Sequence, residues 1–354
     1  MTQLFRPNIT AMQGYVPGEQ PRGMEFVKLN TNENPYPCSP TVKATIGRVL
    51  QAGLQRYPDP MATAFRERAA ELFQHEVPGI TPDWIMCGNG SDDILTIVTR
   101  SFVAPGGLIR FPRPSYVLYN TLAAIQNAES ETVDFENDWT LGERFTAADE
   151  RLQLAFLPNP NSPTGTVISP AKVAKLAAAL PCPLIVDEAY ADFATTNCLG
   201  LVAENERVLV TRTLSKSYSL AGLRFGFVVA QPQVIEQLNK VKDSYNCDAL
   251  SIAGATAAID DQAHFVRTRD AIIATRERMT GALRGLGFEC IDSQANFVWC
   301  RHAKKESRQL YEQLKEAGVL VRYMNYAGWS DGLRISVGSD EQCDLLLAKL
   351  GGMV

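Results

Sequence analysis

The chain has 354 residues, 45% of them hydrophobic and 21% charged, and a formal net charge of -5. That is the make-up of a water-soluble globular protein with room for two domains, and it lacks the basic footprint of a nucleic-acid binder. No apolar run is long enough to cross a bilayer and none follows Met1, so a cytoplasmic protein is expected.

Residues 1 to about 30 mix Gly, Pro and polar side chains without periodicity and read as an arm. Val42, Ile46, Val49 and Leu50 then recur at helical spacing and stop at Gly53, as a helix ending on glycine does. The run 84–87 reads as a short strand, and Gly88-Asn89-Gly90-Ser91-Asp92-Asp93 as the turn into a helix whose apolar face is Ile94, Ile97, Val98 and Phe102. Free backbone N–H groups at a helix start bind phosphate, and glycine lets the phosphate approach closely. A dinucleotide fingerprint needs a third glycine where Asp93 stands, which disfavours a nicotinamide enzyme.

Further apolar runs at 108–111, 152–157, 184–186, 207–211 and 225–229 read as buried strands, with helical patterns such as Val173, Leu176, Ala177 and Leu180 between them. That alternation predicts an α/β fold with a mostly parallel sheet. Beyond about residue 250 the pattern changes to strands at 296–299, 319–322 and 333–337 among helices around Leu310 and Leu346, which predicts a smaller α+β domain. The expected division is 1–45 for the arm with part of the small domain, 46–250 for the large domain and 251–354 for the small one. Eight cysteines form no Cys-x-x-Cys pair, and His75, His264 and His302 stand far apart, so reduced thiols and no metal site are expected.

The chemistry concentrates in Thr213-Leu214-Ser215-Lys216-Ser217-Tyr218-Ser219-Leu220-Ala221-Gly222-Leu223-Arg224. A lysine among small hydroxyl residues, with a cation nearby, can lose its proton and condense with an aldehyde. Ser215 and Arg224 are anion ligands beside it, so an aldehyde carrying a phosphate fits, and pyridoxal phosphate is one. A solvated loop lysine is the plain alternative. Asp187 ends a buried strand, where α/β folds place ligand contacts. Arg334 stands inside an apolar strand, where its charge needs a carboxylate or phosphate partner.

Taken in order, these segments resemble the fold-type I pyridoxal-phosphate aminotransferases, and histidinol-phosphate aminotransferases in particular. The resemblance is carried by the lysine segment ending in Ala221-Gly222-Leu223-Arg224, by Gly90-Ser91-Asp92, by Asp187-Glu188-Ala189-Tyr190 and by Leu333-Arg334-Ile335. It extends to Tyr15-Val16-Pro17-Gly18, Leu29-Asn30-Thr31-Asn32-Glu33-Asn34-Pro35, Arg56-Tyr57-Pro58, Pro114-Ser115-Tyr116 and Asn161-Ser162-Pro163-Thr164-Gly165. It implies that Lys216 bonds the cofactor and moves the proton, that Asp187 faces the pyridine nitrogen, that Tyr116 stacks on the ring, and that Tyr190 and Asn161 bond the phenolic oxygen. Ser162 directly precedes Pro163 and competes with Asn161 for that role. Gly90, Ser91, Asp92, Ser215 and Arg224 are then the phosphate ligands, joined by Tyr57 from the neighbouring subunit of a homodimer.

Tyr15, Asn30 and Arg334 are implied to bind substrate, and the reaction implied is L-histidinol phosphate with 2-oxoglutarate giving imidazole acetol phosphate and L-glutamate. Members of that family often carry a second basic residue where this chain has Leu345, which leaves open an aromatic or other amino-acid aminotransferase or a phosphothreonine decarboxylase on the same frame.

Overall fold

β1 (Val27–Lys28) follows the arm in the computed structural model, which describes residues 4–14, 18–19 and 26–354. The apolar runs of the next two hundred residues become β2 (Ile85–Gly88), β3 (Leu108–Arg113), β4 (Glu129–Asp134), β5 (Leu152–Pro158), β6 (Leu184–Asp187), β7 (Val208–Thr213) and β8 (Gly226–Val229). They form one sheet in the order β2-β8-β7-β6-β5-β3-β4, in which only β8 runs antiparallel to its neighbours.

Successive side chains leave opposite faces of each strand. Leu184, Val186, Val208 and Val210 enter one core with Val42, Phe65 and Val173, whereas Ile185, Leu209, Leu154 and Phe156 enter the other with Ile94, Ile97 and Val98. Helices cover both faces, so the central strands read in sequence as unbroken apolar runs. Each fully buried side chain of this kind contributes about 1.5–3 kcal/mol from removal of its surface from water. β4 breaks the rule. It lies at the sheet edge with Val133 as its one buried residue, so no apolar run announces it.

The large core continues past residue 250. The helix Ala249–Asp260 sends Ala255, Ala258 and Ile259 into the same core as Val42, and Gly254 admits Ile46 and Leu223 at close range. The 24-residue helix Gln262–Gly285 then leads into β9 (Phe288–Cys290), β10 (Phe297–His302), β11 (Val319–Leu320), β12 (Arg322–Asn325) and β13 (Asp331–Ser336). β12-β13-β10-β9 is an antiparallel sheet, and β1 pairs in parallel with β11.

Two readings of the sequence change here. The single strand expected at 319–322 is two strands belonging to different sheets, and the end of the arm is not peripheral. Leu29 is fully buried in a third core with Ile272, Met279, Leu310 and Leu346, because β1 ties the arm to the small sheet's helices.

Candidate active site

The carboxyl ends of β5, β6 and β7, the start of the helix Ser91–Phe102, the turn after β1 and the β12–β13 hairpin enclose a cavity of about 260 Å³. Ligand sites in open α/β sheets lie at this edge. Lys216 enters from the turn after β7. Asn34 fixes that turn by donating Nδ2–H to the carbonyls of Lys216 (3.1 Å) and Ser217 (3.0 Å), and Ser217 Oγ donates to Asp192. Asp192 is in turn held by Arg212 Nη1 at 2.9 Å. Lys216 Nζ donates to the carbonyl of Thr31 at 3.2 Å.

One end of the cavity is built for an anion. Gly90, at φ 84°, turns the chain into the helix Ser91–Phe102, whose first N–H groups have no intrahelical partner. A Cβ on Gly90 would lie 2.6 Å from the Arg224 guanidinium, and one on Gly226 would lie 2.7 Å from the Ser91 nitrogen, so only bare backbone fits this cradle. Arg224 itself adopts φ 52°, which aims Nη1 at Ser215 Oγ at 3.4 Å. Strain of this kind gathers at ligand sites. The Asp92 carboxylate sits 3.8 Å from Arg224 and accepts the Tyr116 hydroxyl at 3.3 Å.

Asp187 ends β6, 5% exposed, and lines the cavity without a cation partner among the described residues. Burial pushes its pKa up, and a hydrogen bond from Tyr119 (2.8 Å to Oδ2) opposes that rise, with longer bonds from Ala189 N–H (3.3 Å) and Thr211 (3.4 Å). A buried carboxylate aimed into a cavity calls for a cationic N–H. The next residue, Glu188, points away from the cavity. It is fully buried and pushed up by burial, which its salt bridge with Arg212 (2.7 Å) opposes. Tyr190 packs edge-on against Phe297, and its hydroxyl accepts Nδ2–H of Asn32 at 2.9 Å, which leaves the phenolic proton available to donate.

Opposite stands Arg334. It donates to Ser162 Oγ (3.2 Å) and the Asn30 carbonyl (3.0 Å) and lies over the Phe297 ring, yet no carboxylate is within ion-pair distance among the described residues and its buried Nε has no partner there. A structural ion pair therefore does not account for this arginine.

Of the residues expected from sequence, Asn30, Ser91, Asp92, Tyr116, Asp187, Tyr190, Ser215, Lys216, Arg224 and Arg334 line this one cavity, and Gly90 lies behind Arg224. Asn161 does not line it. Its side chain is buried, donating to the Pro114 carbonyl (3.1 Å) and Thr164 (2.9 Å), while Ser162 faces the cavity. Tyr57 is 80% exposed and stacks on Tyr245 at 4.4 Å, outside the cavity of its own chain. Tyr15 falls outside the described residues. Leu345 is a surface residue of the helix Asp340–Gly351.

A second arginine lines the cavity from elsewhere in the chain. Arg322 pairs with Arg334 across β12 and β13 and lines the same cavity, with Met324 and Tyr326 beside it. Nothing in the sequence marked Arg322 beyond its place at the end of an apolar run. Among the described residues no His, Cys, Asp or Glu group is arranged for a metal, and no helix is long and apolar enough to cross a membrane.

The donor set suits pyridoxal phosphate: an anion cradle of bare backbone, hydroxyl and guanidinium, a lysine, an aromatic face and a buried carboxylate. Residues 24–350 match the family model for aminotransferase class I and II. The chain is 53% identical to a histidinol-phosphate aminotransferase of Rhodopirellula baltica over 96% of this chain and 93% of that one. It is 44% identical to histidinol-phosphate aminotransferase 1 of Trichormus variabilis, over 99% of each. Among solved structures, the histidinol-phosphate aminotransferase of Sinorhizobium meliloti in complex with pyridoxal-5'-phosphate superposes with a TM-score of 0.89 at 25% identity, covering 99% of this chain and 98% of that one.

Proposed function

The chain belongs to the aminotransferase class I and II family, and from that premise we propose that it moves the amino group of L-histidinol phosphate to 2-oxoglutarate, with pyridoxal phosphate as cofactor, in histidine biosynthesis. The observation that carries this reading is the meeting in one cavity of Lys216, the buried Asp187 and an Arg334 that has no carboxylate partner among the described residues. Pyridoxal phosphate, when bound, supplies an aldehyde that takes up the amino group and a ring that draws electrons from the bond being broken.

The chain's own residues do the rest. Ser91, Ser215, Arg224 and the backbone at Gly90 would hold the phosphate, Tyr116 would cover the ring and Asp187 would hold the proton on the ring nitrogen. Tyr190 would donate to the phenolic oxygen. Asn161 braces the wall from behind Ser162. Lys216 would carry the proton from the nitrogen-bearing carbon of the amino donor to the cofactor's aldehyde-derived carbon, and in the second half-reaction would move a proton the opposite way onto the carbon of the 2-oxo acid. Arg334 binds the substrate carboxylate in one half-reaction and the phosphate in the other, and Arg322 beside it provides a second positive charge, which a dianionic phosphate favours.

A homodimer completes the site in this reading. Tyr57 and Tyr245, with Leu50 and Leu54 close to Tyr57 in sequence, are exposed large side chains that a partner would cover, and in this reading Tyr57 would reach the neighbour's phosphate. The test is glutamate formation from L-histidinol phosphate and 2-oxoglutarate by the pyridoxal-phosphate-loaded protein. Turnover far above that with aromatic amino acids is expected. Turnover with aromatic donors alone, or carbon dioxide release without a keto product, would discard the proposed substrate.

A further inference from the structure

Tyr119 matches no motif, yet its hydroxyl makes the shortest hydrogen bond to the carboxylate of Asp187, 2.8 Å to Oδ2. It lies in the first turn of the helix Leu118–Gln126 with no exposed surface. Its ring stacks on Phe156 (4.6 Å, 7° between planes), tilts against Phe111 at 5.6 Å and meets Tyr116 edge-on at 5.7 Å. Three aromatic neighbours hold the ring in place, so the hydroxyl has one direction to point. The turn that opens the helix sets the two rings together, since Tyr119 N–H donates to the Tyr116 carbonyl at 3.3 Å just before the helix begins.

We propose that Tyr119 is a positioning residue for the cofactor ring, keeping Asp187 ionised so that the shared proton stays on the ring nitrogen, and backing Tyr116 from behind. The inference rests on the aminotransferase reading above. The proton between a carboxylate and a pyridine nitrogen has two resting places. It can sit on nitrogen beside a carboxylate anion, or on oxygen beside a neutral ring. A hydrogen bond donated to the carboxylate stabilises the first arrangement more than the second, because an anion accepts it more strongly than a neutral acid does. Burial pushes Asp187 towards its neutral form, so the donor matters more here than it would in water. Tyr119 cannot become a rival acid, because burial and the adjacent carboxylate hold its own pKa far above the usual phenol value. The longer bonds from Ala189 and Thr211 leave Tyr119 as the dominant donor. The ring is withdrawn from solvent behind Tyr116, so the arrangement is not readily replaced by water.

The experiment is 15N NMR of protein loaded with ring-15N pyridoxal phosphate, which reads the nitrogen's proton directly and not through turnover. Tyr119→Phe keeps the ring and its aromatic packing. Its expected effect is a shift of the nitrogen towards the unprotonated position, as the ratio of the two arrangements moves by about tenfold or more, the range of one hydrogen bond to a charged group. Thr211→Ala is expected to move it far less. An unchanged nitrogen shift in folded, cofactor-bound Tyr119→Phe would overturn the proposal. Should that variant not fold, 3-fluorotyrosine placed at position 119 preserves the shape and strengthens the donor. A nitrogen at least as protonated as in the unaltered protein is expected, and one displaced towards the unprotonated position overturns the inference. The two readings fail differently. If the unaltered protein binds no cofactor, the aminotransferase reading falls with this one; if it binds cofactor with a protonated nitrogen and Tyr119→Phe does the same, only Tyr119 loses its role.

Discussion

Removing Arg334 separates activity from stability. Its guanidinium makes two hydrogen bonds, to Ser162 Oγ and the Asn30 carbonyl, and keeps a buried Nε without a partner among the described residues. An unpaired charge near the interior costs free energy, so Arg334→Ala is expected to leave the melting temperature unchanged or raise it. Catalysis moves the other way. A fork-shaped contact to a carboxylate or phosphate supplies two charged hydrogen bonds of about 1.5–3 kcal/mol each, so about 3–6 kcal/mol is lost, or about 150-fold to 25,000-fold in kcat/KM. Arg334→Lys recovers only part, since an ammonium cannot span two oxygens. Each half-reaction is followed separately, in single turnover, by the absorbance of the bound cofactor, once with L-glutamate and once with L-histidinol phosphate. Losses within about threefold in both, together with a clear drop in stability, would show that Arg334 serves the fold and not the substrate.

Shared sites are testable by mixing. Lys216→Ala alone abolishes turnover while retaining non-covalent cofactor, and Tyr57→Ala alone is strongly impaired; unfolding and refolding the two together restores activity in hybrid dimers, and no recovery would remove Tyr57 from the neighbour's site. Glu188→Gln breaks the buried pair with Arg212 and costs about 3–5 kcal/mol in urea unfolding, with a loss under about 1 kcal/mol counting against the pair. Asp187→Asn tests the burial penalty in cofactor-free protein. The folded pKa of Asp187 is raised, so its ionisation costs stability as pH rises through that pKa, and the cost vanishes below the unfolded value of about 4. The variant is expected to gain stability on the unaltered protein above the folded pKa and to lose that gain in acid, so a gain that grows as pH falls would contradict the sign.

Much of this molecule was legible because its central strands are buried on both faces and end in chemically loaded turns. Val208–Thr213 running into Lys216, and Leu184–Asp187 ending on an acid, put apolar run and functional residue side by side in the chain. Local order therefore carried the sheet, the lysine, the carboxylate and the anion cradle. It did not carry β4, whose edge position leaves little to bury, nor the burial of Leu29, which depends on β1 meeting β11 almost three hundred residues away.

The substrate end depends on register. Arg322 stands beside Arg334 because β12 and β13 pair residue for residue, a fact with no trace in spacing or composition, and the direction of the backbone between Pro160 and Pro163 turns Ser162 inward and Asn161 into the wall. Tyr119 left a fainter signal, three residues after Tyr116, but its partner Asp187 lies 68 positions further along. By itself the sequence determined the chemistry, since a lysine, an acid and an anion cradle are each written in contiguous residues at strand ends. Only the tertiary structure decided which arginines share the cavity and which phenol supports the acid, because contacts between distant strands follow from pairing register and packing rather than from neighbours in the chain.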